Sequence, residues 1–292
     1  PPPKIMSPER ISVTILVSNS SRTLHECLSR LKAFDEVVIY LNNSTDQSSQ
    51  IARSFPNTTI VEGPFLGFGE SKNLAAKYAR HDWILNIDAD ELVHEDTIKS
   101  IKELPDELNP NTVYYIKRCN YYLGQAVNHS PWGSDDVIRL YHRQTTQFNT
   151  KKVHESIMLS DEIKTAYLDG ELEHYSYGSS LEMLKKNIQY SELYAQQYQY
   201  KKRSNIITSS LHALMSFFKS MVLKGGFLDG LPGWVINWAG VNGTFFKYVR
   251  LAEKIVKPKL MYSSTTIYQT NWIKSNKILR PYLRILTFKI IR

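Results

Sequence analysis

The sequence predicts an α/β fold with a mixed sheet, followed by a helical, basic C-terminal region. Three observations carry this. Short runs rich in β-branched residues alternate with helically spaced apolar residues over roughly the first hundred positions. From about Gly178 the periodicity is helical alone. The charge also divides along the chain: residues 200–292 carry 16 Lys and Arg against two acids, Asp229 and Glu253, a net of +14 in a 292-residue chain of net +8. The remaining residues therefore carry −6. Hydrophobic residues at 42% and aromatics at 12% supply enough apolar surface to offset ordering entropy, which excludes a disordered chain. A segment as basic as the second part is expected to face phosphates, acidic headgroups or nucleic acid.

The elements follow in order. Ile11–Val17 reads as a buried strand, and the polar break Ser18–Asn19–Ser20–Ser21 leads to a helix with Leu24, Cys27, Leu28 and Leu31 on one face. Val37–Leu41 is a second strand. The turn residues Asn42–Asn43–Ser44–Thr45–Asp46 then enter a short helix near Ser48–Phe55. Thr58–Val61 is a third strand, and a Gly-rich loop from Gly63 to Gly69 precedes a helix with Leu74, Ala75, Tyr78 and Ala79 on one side. Trp83–Ile87 is a fourth strand, which places Asp88–Glu91 at its carboxyl end, where open α/β sheets bind ligands. After Thr97–Leu104, the segments Val113–Arg118, Val137–His142 and Lys164–Leu168 read as strands of mixed direction. Beyond them, Leu181, Leu184, Ile188 and Ala195, then Ile207, Leu211, Leu214, Phe218 and Met221, repeat as helical stripes up to Gly225–Gly226. The expected division is 8–178 and 179–292.

No apolar run reaches the roughly 20 residues of a membrane span, and no basic-then-apolar leader is visible; Pro1–Pro2–Pro3 reads as an arm. Cys27 and Cys119 make neither a disulfide framework nor a zinc motif, so a reduced, cytoplasmic setting is expected.

The strongest chemical signal is Asn86-Ile87-Asp88-Ala89-Asp90-Glu91. Two carboxylates of an Asp-x-Asp on a strand-end turn can face one ligand and hold a hard divalent cation that clamps a diphosphate. The alternative is an acidic first turn of the next helix. Gly63 to Lys72 lacks the Gly-Lys-Ser/Thr ending of a phosphate loop and reads as an approach to a nucleotide site.

With Asn43-Ser44-Thr45-Asp46, Lys72-Asn73, Trp83 through Glu91, Arg139-Leu140-Tyr141, Val153-His154-Glu155 and Gly226-Phe227-Leu228-Asp229-Gly230 in this order, the chain resembles the family 2 inverting glycosyltransferases. Within these it looks most like bacterial enzymes that add a hexose, often glucose, to the lipopolysaccharide core. The resemblance implies the GT-A fold, a Rossmann-like nucleotide-sugar-binding domain. It implies that Val17, Ser18, Asn19 and the loop after the second strand hold uracil and ribose, and that Lys72 and Asn73 approach the nucleotide or its phosphates. Asp88 would contact ribose or sugar, and Asp90 would bind Mg2+ or Mn2+ bridging the diphosphate of a UDP-sugar. His174 would complete the metal site or serve as a hydrogen-bonded structural residue; His154 is a weaker ligand candidate. An inverting transfer needs a base for the acceptor hydroxyl. Glu155 is the first candidate, with a surface salt bridge to Lys151 or Lys152 as its alternative, and Asp135 is the second. One departure stands out: Leu41 occupies the position where the family usually carries Asp, leaving Asn42 or Asn43 to read the base.

The basic end completes the reading. Arg280, Arg284, Lys289 and Arg292 alternate with Leu283, Leu286, Ile290 and Ile291 after Pro281, a short amphipathic helix suited to a membrane surface. Phe217, Phe218, Trp234, Trp238, Phe245, Phe246 and Tyr248 among lysines suit anionic lipid, or else pack these helices onto the catalytic part. No nucleic-acid-binding signature accompanies them. The partners expected are a nucleotide-sugar donor, a lipid-linked oligosaccharide acceptor and an anionic membrane surface, with the enzyme peripheral on the cytoplasmic face of an inner membrane. The alternatives are another nucleotide sugar, a capsule acceptor, or a non-catalytic binding protein on the same scaffold.

Overall fold

The computed structural model describes residues 10–150 and 155–255. The expectations placed on Lys151, Lys152, His154 and the helix after Pro281 lie outside them. The first four strands, β1 (Ile11–Val17), β2 (Glu36–Leu41), β3 (Thr58–Glu62) and β4 (Trp83–Asp88), are parallel and lie side by side as β3-β2-β1-β4. They are joined by α1 (Ser21–Arg30), α2 (Ser48–Arg53) and α3 (Phe68–Lys77). After β4 come β5 (Glu91–Val93), α4 (Glu95–Lys102), β6 (Thr112–Tyr122), β7 (Gln125–Val127), β8 (Asp135–His142) and β9 (Lys164–His174). The full order is β3-β2-β1-β4-β8-β6-β9-β5, with β7 beside β6. β8 runs antiparallel to both β4 and β6, so the sheet is mixed, as expected.

Strand alternation sets what each face offers. On β2, Val37, Ile39 and Leu41 enter the core that also holds Leu24 and Leu28 of α1, while Val38 enters a second core with Ala76 of α3 and Tyr141 of β8. On β4, Leu85 and Ile87 belong to the first core and Ile84 to the second. Asp88, two steps of two from Ile84, therefore stands on the α3 side of the sheet. Gly69 lets α3 sit close to the following loop: a Cβ there would lie 1.9 Å from the Asn149 carbonyl oxygen.

Two short strands escaped the sequence reading. β5 begins at Glu91, and α4 is instead capped by His94, so Asp88–Glu91 is a strand-to-strand turn and not the acidic start of a helix. β5 pairs with β9 in the register Glu91–His174, which carries the end of β9 back to that turn.

The chain closes with α5 (Ser180–Tyr198), α6 (Ile206–Phe218) and α7 (Gly230–Ile255). Their apolar stripes lie opposite to a soluble-helix expectation. Leu181, Leu184 and Ile188 of α5 and Ile207, Leu211, Leu214 and Phe218 of α6 are exposed, whereas Ser191, Ala195, Ser209 and Ala213 are buried; only Met221 of the predicted second stripe turns inward. Small residues bring the helix backbones together and leave the long side chains outside. Among the described residues Ile206–Leu223 is, by length and composition, long and apolar enough to cross a membrane, contrary to the expectation that no run would be.

A third small core of Tyr122, Val127, Met183, Ile236 and Ala239 joins the helices to the sheet. Beside it, Asp229 acts as a clamp. Its buried carboxylate accepts from the backbone N–H groups of Asn128 (3.1 Å) and His129 (3.0 Å) and meets His129 Nδ1 at 2.8 Å. Asp229→Ala would leave those amides without their acceptor. It should cost about 2–4 kcal/mol and lower the thermal midpoint by roughly 5–10 °C in calorimetry.

Candidate active site

A cavity of about 630 Å³ opens at the carboxyl ends of β1 and β4. Its first wall comes from the loops after β1 and β2, which are laced together. Asn19, in the left-handed region at φ 50, accepts at Oδ1 from the Thr45 N–H (2.8 Å) and the Asp46 N–H (3.2 Å). Asp46 accepts in return from the N–H groups of Ser21 (2.9 Å) and Ser48 (3.0 Å). Burial works to raise the Asp46 carboxyl, but hydrogen bonds from the side chains and then the backbone N–H groups of Ser48 and Ser21 outweigh it and hold the group well below its ordinary value. Asn43-Ser44-Thr45-Asp46 is thus a brace for the wall. Asn42 lines the cavity, and its buried Oδ1 has no hydrogen-bond partner among the described residues. Phe65 and Phe68, edge to face at 5.0 Å, stand at the mouth.

The floor is a chain of ion pairs. Lys72, whose side chain is 4% exposed on α3, reaches Asp88 Oδ1 at 2.9 Å and Glu155 Oε1 at 3.0 Å. Arg139, buried on β8, holds Asp88 Oδ2 at 2.7 Å and also pairs with the fully buried Glu91. Glu91 in turn accepts from the Asp88 N–H at 3.0 Å, which fixes the turn between them. Arg118 extends the chain from Glu91 to Asp135, which it grips with two bonds of 3.0 and 2.7 Å. Burial alone would lift the Asp88 carboxyl, but Arg139 and Lys72 outweigh it and hold it well below the usual carboxylate range.

The same cavity is lined by Asp90 and His174. His174 Nε2 lies 3.5 Å from Asp90 Oδ2, and the Asp90 carbonyl accepts from the Tyr175 N–H at 2.9 Å. The ring is oriented from behind. Asn120 donates from Nδ2 to the Trp132 carbonyl (2.9 Å), so its Oδ1 faces His174 Nδ1 at 2.6 Å and takes that N–H. The ring's Nε2 faces Asp90, with the Ser176 hydroxyl 3.0 Å away; a ring oriented through its other nitrogen is the arrangement that histidine metal ligands use. Among the described residues no group of three or more His, Cys, Asp or Glu converges as a metal site. One carboxylate and one imidazole nonetheless suit a cation whose other ligands are diphosphate oxygens and water.

The sequence model of glycosyl transferase family 2 matches residues 12–163, which contain the cavity floor and its Asp-x-Asp turn. The chain belongs to this family.

Relatives of the transferase agree. An uncharacterized glycosyltransferase of Rickettsia typhi is 27% identical over 268 residues, covering 88% of this chain and 91% of the relative. The lipopolysaccharide core biosynthesis glycosyltransferase LpsC of Rhizobium meliloti is 25% identical over 236 residues, covering 76% of this chain and 87% of the relative. Among solved structures, residues 1–349 of Staphylococcus aureus TarS align with a TM-score of 0.41 and 17% identity, over 84% of this chain and 89% of that one. The mixed, Rossmann-like sheet with its trailing helices is the GT-A fold.

Not every expected residue faces the transferase cavity. Ser18, Asn19, Asn42, Lys72, Asp88, Asp90, Glu155 and His174 line it. Val17 is buried in the core, and only its carbonyl contributes, accepting from the Asn42 N–H at 2.8 Å. Asn73 is spent on the Phe148 backbone, donating to its carbonyl and accepting from its N–H, both at 2.9 Å. Asp135 is bound by Arg118; its neighbour Asp136 lines a second cavity of about 400 Å³ that shares Lys72, Asp88 and Glu155 with the first. Leu41 faces the core by strand alternation, so the polar group at the end of β2 is Asn42. Sequence reasoning missed Arg139 and Glu91 as a buried pair, Asn120 behind His174, and Glu182 and Lys186 of α5 in the wall. A signal for Arg139 existed: it is the lone charge between Val137 and Leu140 in a strand otherwise apolar there.

Removing one partner of a buried ion pair leaves an uncompensated charge. Arg139→Met in the transferase should therefore lose about 3–5 kcal/mol, read by urea denaturation, while Arg118→Met, at the exposed end of the chain, should lose far less.

Proposed function

We propose that this glycosyltransferase moves a hexose, glucose from UDP-glucose, with inversion, onto a hydroxyl of a lipid-linked saccharide such as the lipopolysaccharide inner core. The reaction belongs at the cytoplasmic face of a bacterial inner membrane, with the protein peripheral to it. The observation that carries the reading is the meeting of Glu155, Lys72 and Asp88 at the border of two cavities, the first of which Asp90 and His174 also line. The similarity to LpsC supports the class of acceptor.

In this reading Asn42 Oδ1 accepts from the base, taking the place of the carboxylate that Leu41 lacks. Asp88, held by Arg139 and Lys72, presents a fixed carboxylate to ribose or sugar. Glu155 takes the acceptor proton as the acceptor oxygen bonds to the anomeric carbon and the bond to the diphosphate breaks on the opposite side. Lys72 holds Glu155 in place and, with Arg139, offsets the charge of Asp88. Asp90 and His174 would hold Mg2+ or Mn2+, which when bound neutralises charge on the diphosphate.

Thermal melting with Mn2+ alone and with Mn2+ plus UDP, GDP, CMP or UDP-glucose tests the donor. A ligand at 100 times its Kd stabilises by about 2.7 kcal/mol, so a metal-dependent rise with UDP-glucose is expected. No shift with any nucleotide in folded protein would favour a binding scaffold without this activity. Asp90→Asn should remove the metal-dependent part of the shift, and Asn120→Leu should weaken Mn2+ roughly 10–100-fold. Glu155→Gln should keep the UDP-glucose shift and lose roughly 10²–10⁴ in turnover; an unchanged rate would remove Glu155 from the base role.

A further inference from the structure

The outer face of α6 and of the turns that follow it is inverted relative to a helix designed for water. A surface helix buries its large apolar side chains and exposes its polar ones. α6 buries Ser209 and Ala213 and exposes Leu211, Leu214, Met215 and Phe218. The pattern continues through the helical turns at 219–229 and into α7: Pro232, Gly233 and Ala239 are buried beside Met221 and Ile236, while Leu223, Phe227, Leu231, Trp234 and Trp238 are exposed. Small residues at the helix contact with large apolar residues outside are what helices adopt when their outer solvent is hydrocarbon.

The charges around this face agree. Between Leu193 and Ala252 the sole carboxylate is Asp229, and it is buried in its clamp on the loop after β7. Lys201, Lys202 and Arg203 precede α6, and Lys219 and Lys224 follow it, all exposed. A second copy of the chain, meeting this face by two-fold symmetry, would set lysines against lysines. The chain after Ile255 has eight Lys and Arg and no acid, so it does not complement the rim either. An anionic bilayer matches both the apolar face and the cationic rim.

We propose that this face, formed by α6, the 219–229 turns and the start of α7, inserts in-plane into the boundary between headgroups and acyl chains of an anionic membrane. Lys219 argues for the in-plane geometry. A helix crossing through Ile206–Leu223 would hold its ammonium about one turn inside the span, reaching headgroups only by snorkelling, whereas a helix lying flat lets it reach the phosphates directly. Asp229 and the Ser130 N–H bond to the Lys224 carbonyl (3.1 Å) tie the inserted turns to the catalytic sheet, so insertion fixes the cavity's height above the bilayer. The proposal rests on the membrane part of the reading above and names the surface and the mode.

The test is flotation of the full chain with vesicles of phosphatidylethanolamine and phosphatidylglycerol at 3:1, read with tryptophan quenching by brominated lipid. Three proteins are compared at low and high salt: wild type, Leu214→Gln with Phe218→Gln, and a chain lacking 276–292. Both substituted side chains are more than half exposed, so melting should be unchanged. The expected result is bound wild type with quenched fluorescence, at least a tenfold loss of vesicle affinity in the double variant, and less than threefold loss in the shortened chain. A double variant that binds like wild type while the shortened chain does not bind would overturn the proposal and leave the membrane reading standing. No binding of wild type to these vesicles would overturn both. A wild-type dimer that the double variant turns into a monomer, without vesicle binding, would give the face to a second copy.

Discussion

The site depends on one buried guanidinium. Arg139 enters the sheet from β8, beside β4, where it is almost wholly buried. It is tolerable there only because Asp88 and Glu91 both turn toward it, and because Glu91 also takes the Asp88 N–H. That requirement bends the chain back between β4 and β5 and leaves Asp90 on the cavity side. Buried ion pairs add little net stability, since desolvation cancels most of their attraction. What this one contributes is geometry: it fixes where the carboxylate of Asp88 stands, and through Lys72 where Glu155 stands.

Two further contacts bring distant parts of the chain to that turn. The register of β5 on β9 sets His174 beside Asp90, and Asn120 on β6 orients its ring. The helices arrive through α5, whose Glu182 and Lys186 close the cavity wall, and through Asp229, which fastens the turn before α7 to the loop after β7. The Gly226-to-Gly230 motif owes its place to this joint. Gly225 and Gly230 take positive φ on either side of a carboxylate with three partners.

Much of this was legible in the sequence, because it is local. The four parallel strands and three helices follow from apolar spacing and turn residues, and the Asp-x-Asp turn from its position after a buried strand. By alternation alone, Asp88 shares a face with Ile84, and Leu41 shares one with Val37 and Ile39. The roles of Asn73 and Asp46 were not legible. Each is a small polar residue, one within a helix and one in a loop, and nothing near it in sequence says whether its partner is a ligand or a backbone amide 75 residues away, as Phe148 is for Asn73. Asp135 was ambiguous for the same reason: its partner Arg118 is on a neighbouring strand whose register the sequence does not print.

The sequence by itself determined the class of the fold, the order of its first strands, the chemistry of the residues that line the cavity and the basic second part. Periodicity and composition act over one or two turns of chain, so these survive in any arrangement of the elements. Only the tertiary structure decided which charges meet, because Lys72, Asp88, Arg139 and Glu155 come together through sheet order and the packing of α3. It also decided which way the apolar stripes of α5 and α6 turn. An amphipathic pattern states that a helix has two unlike faces; the close approach of small residues on neighbouring helices turns the larger face outward.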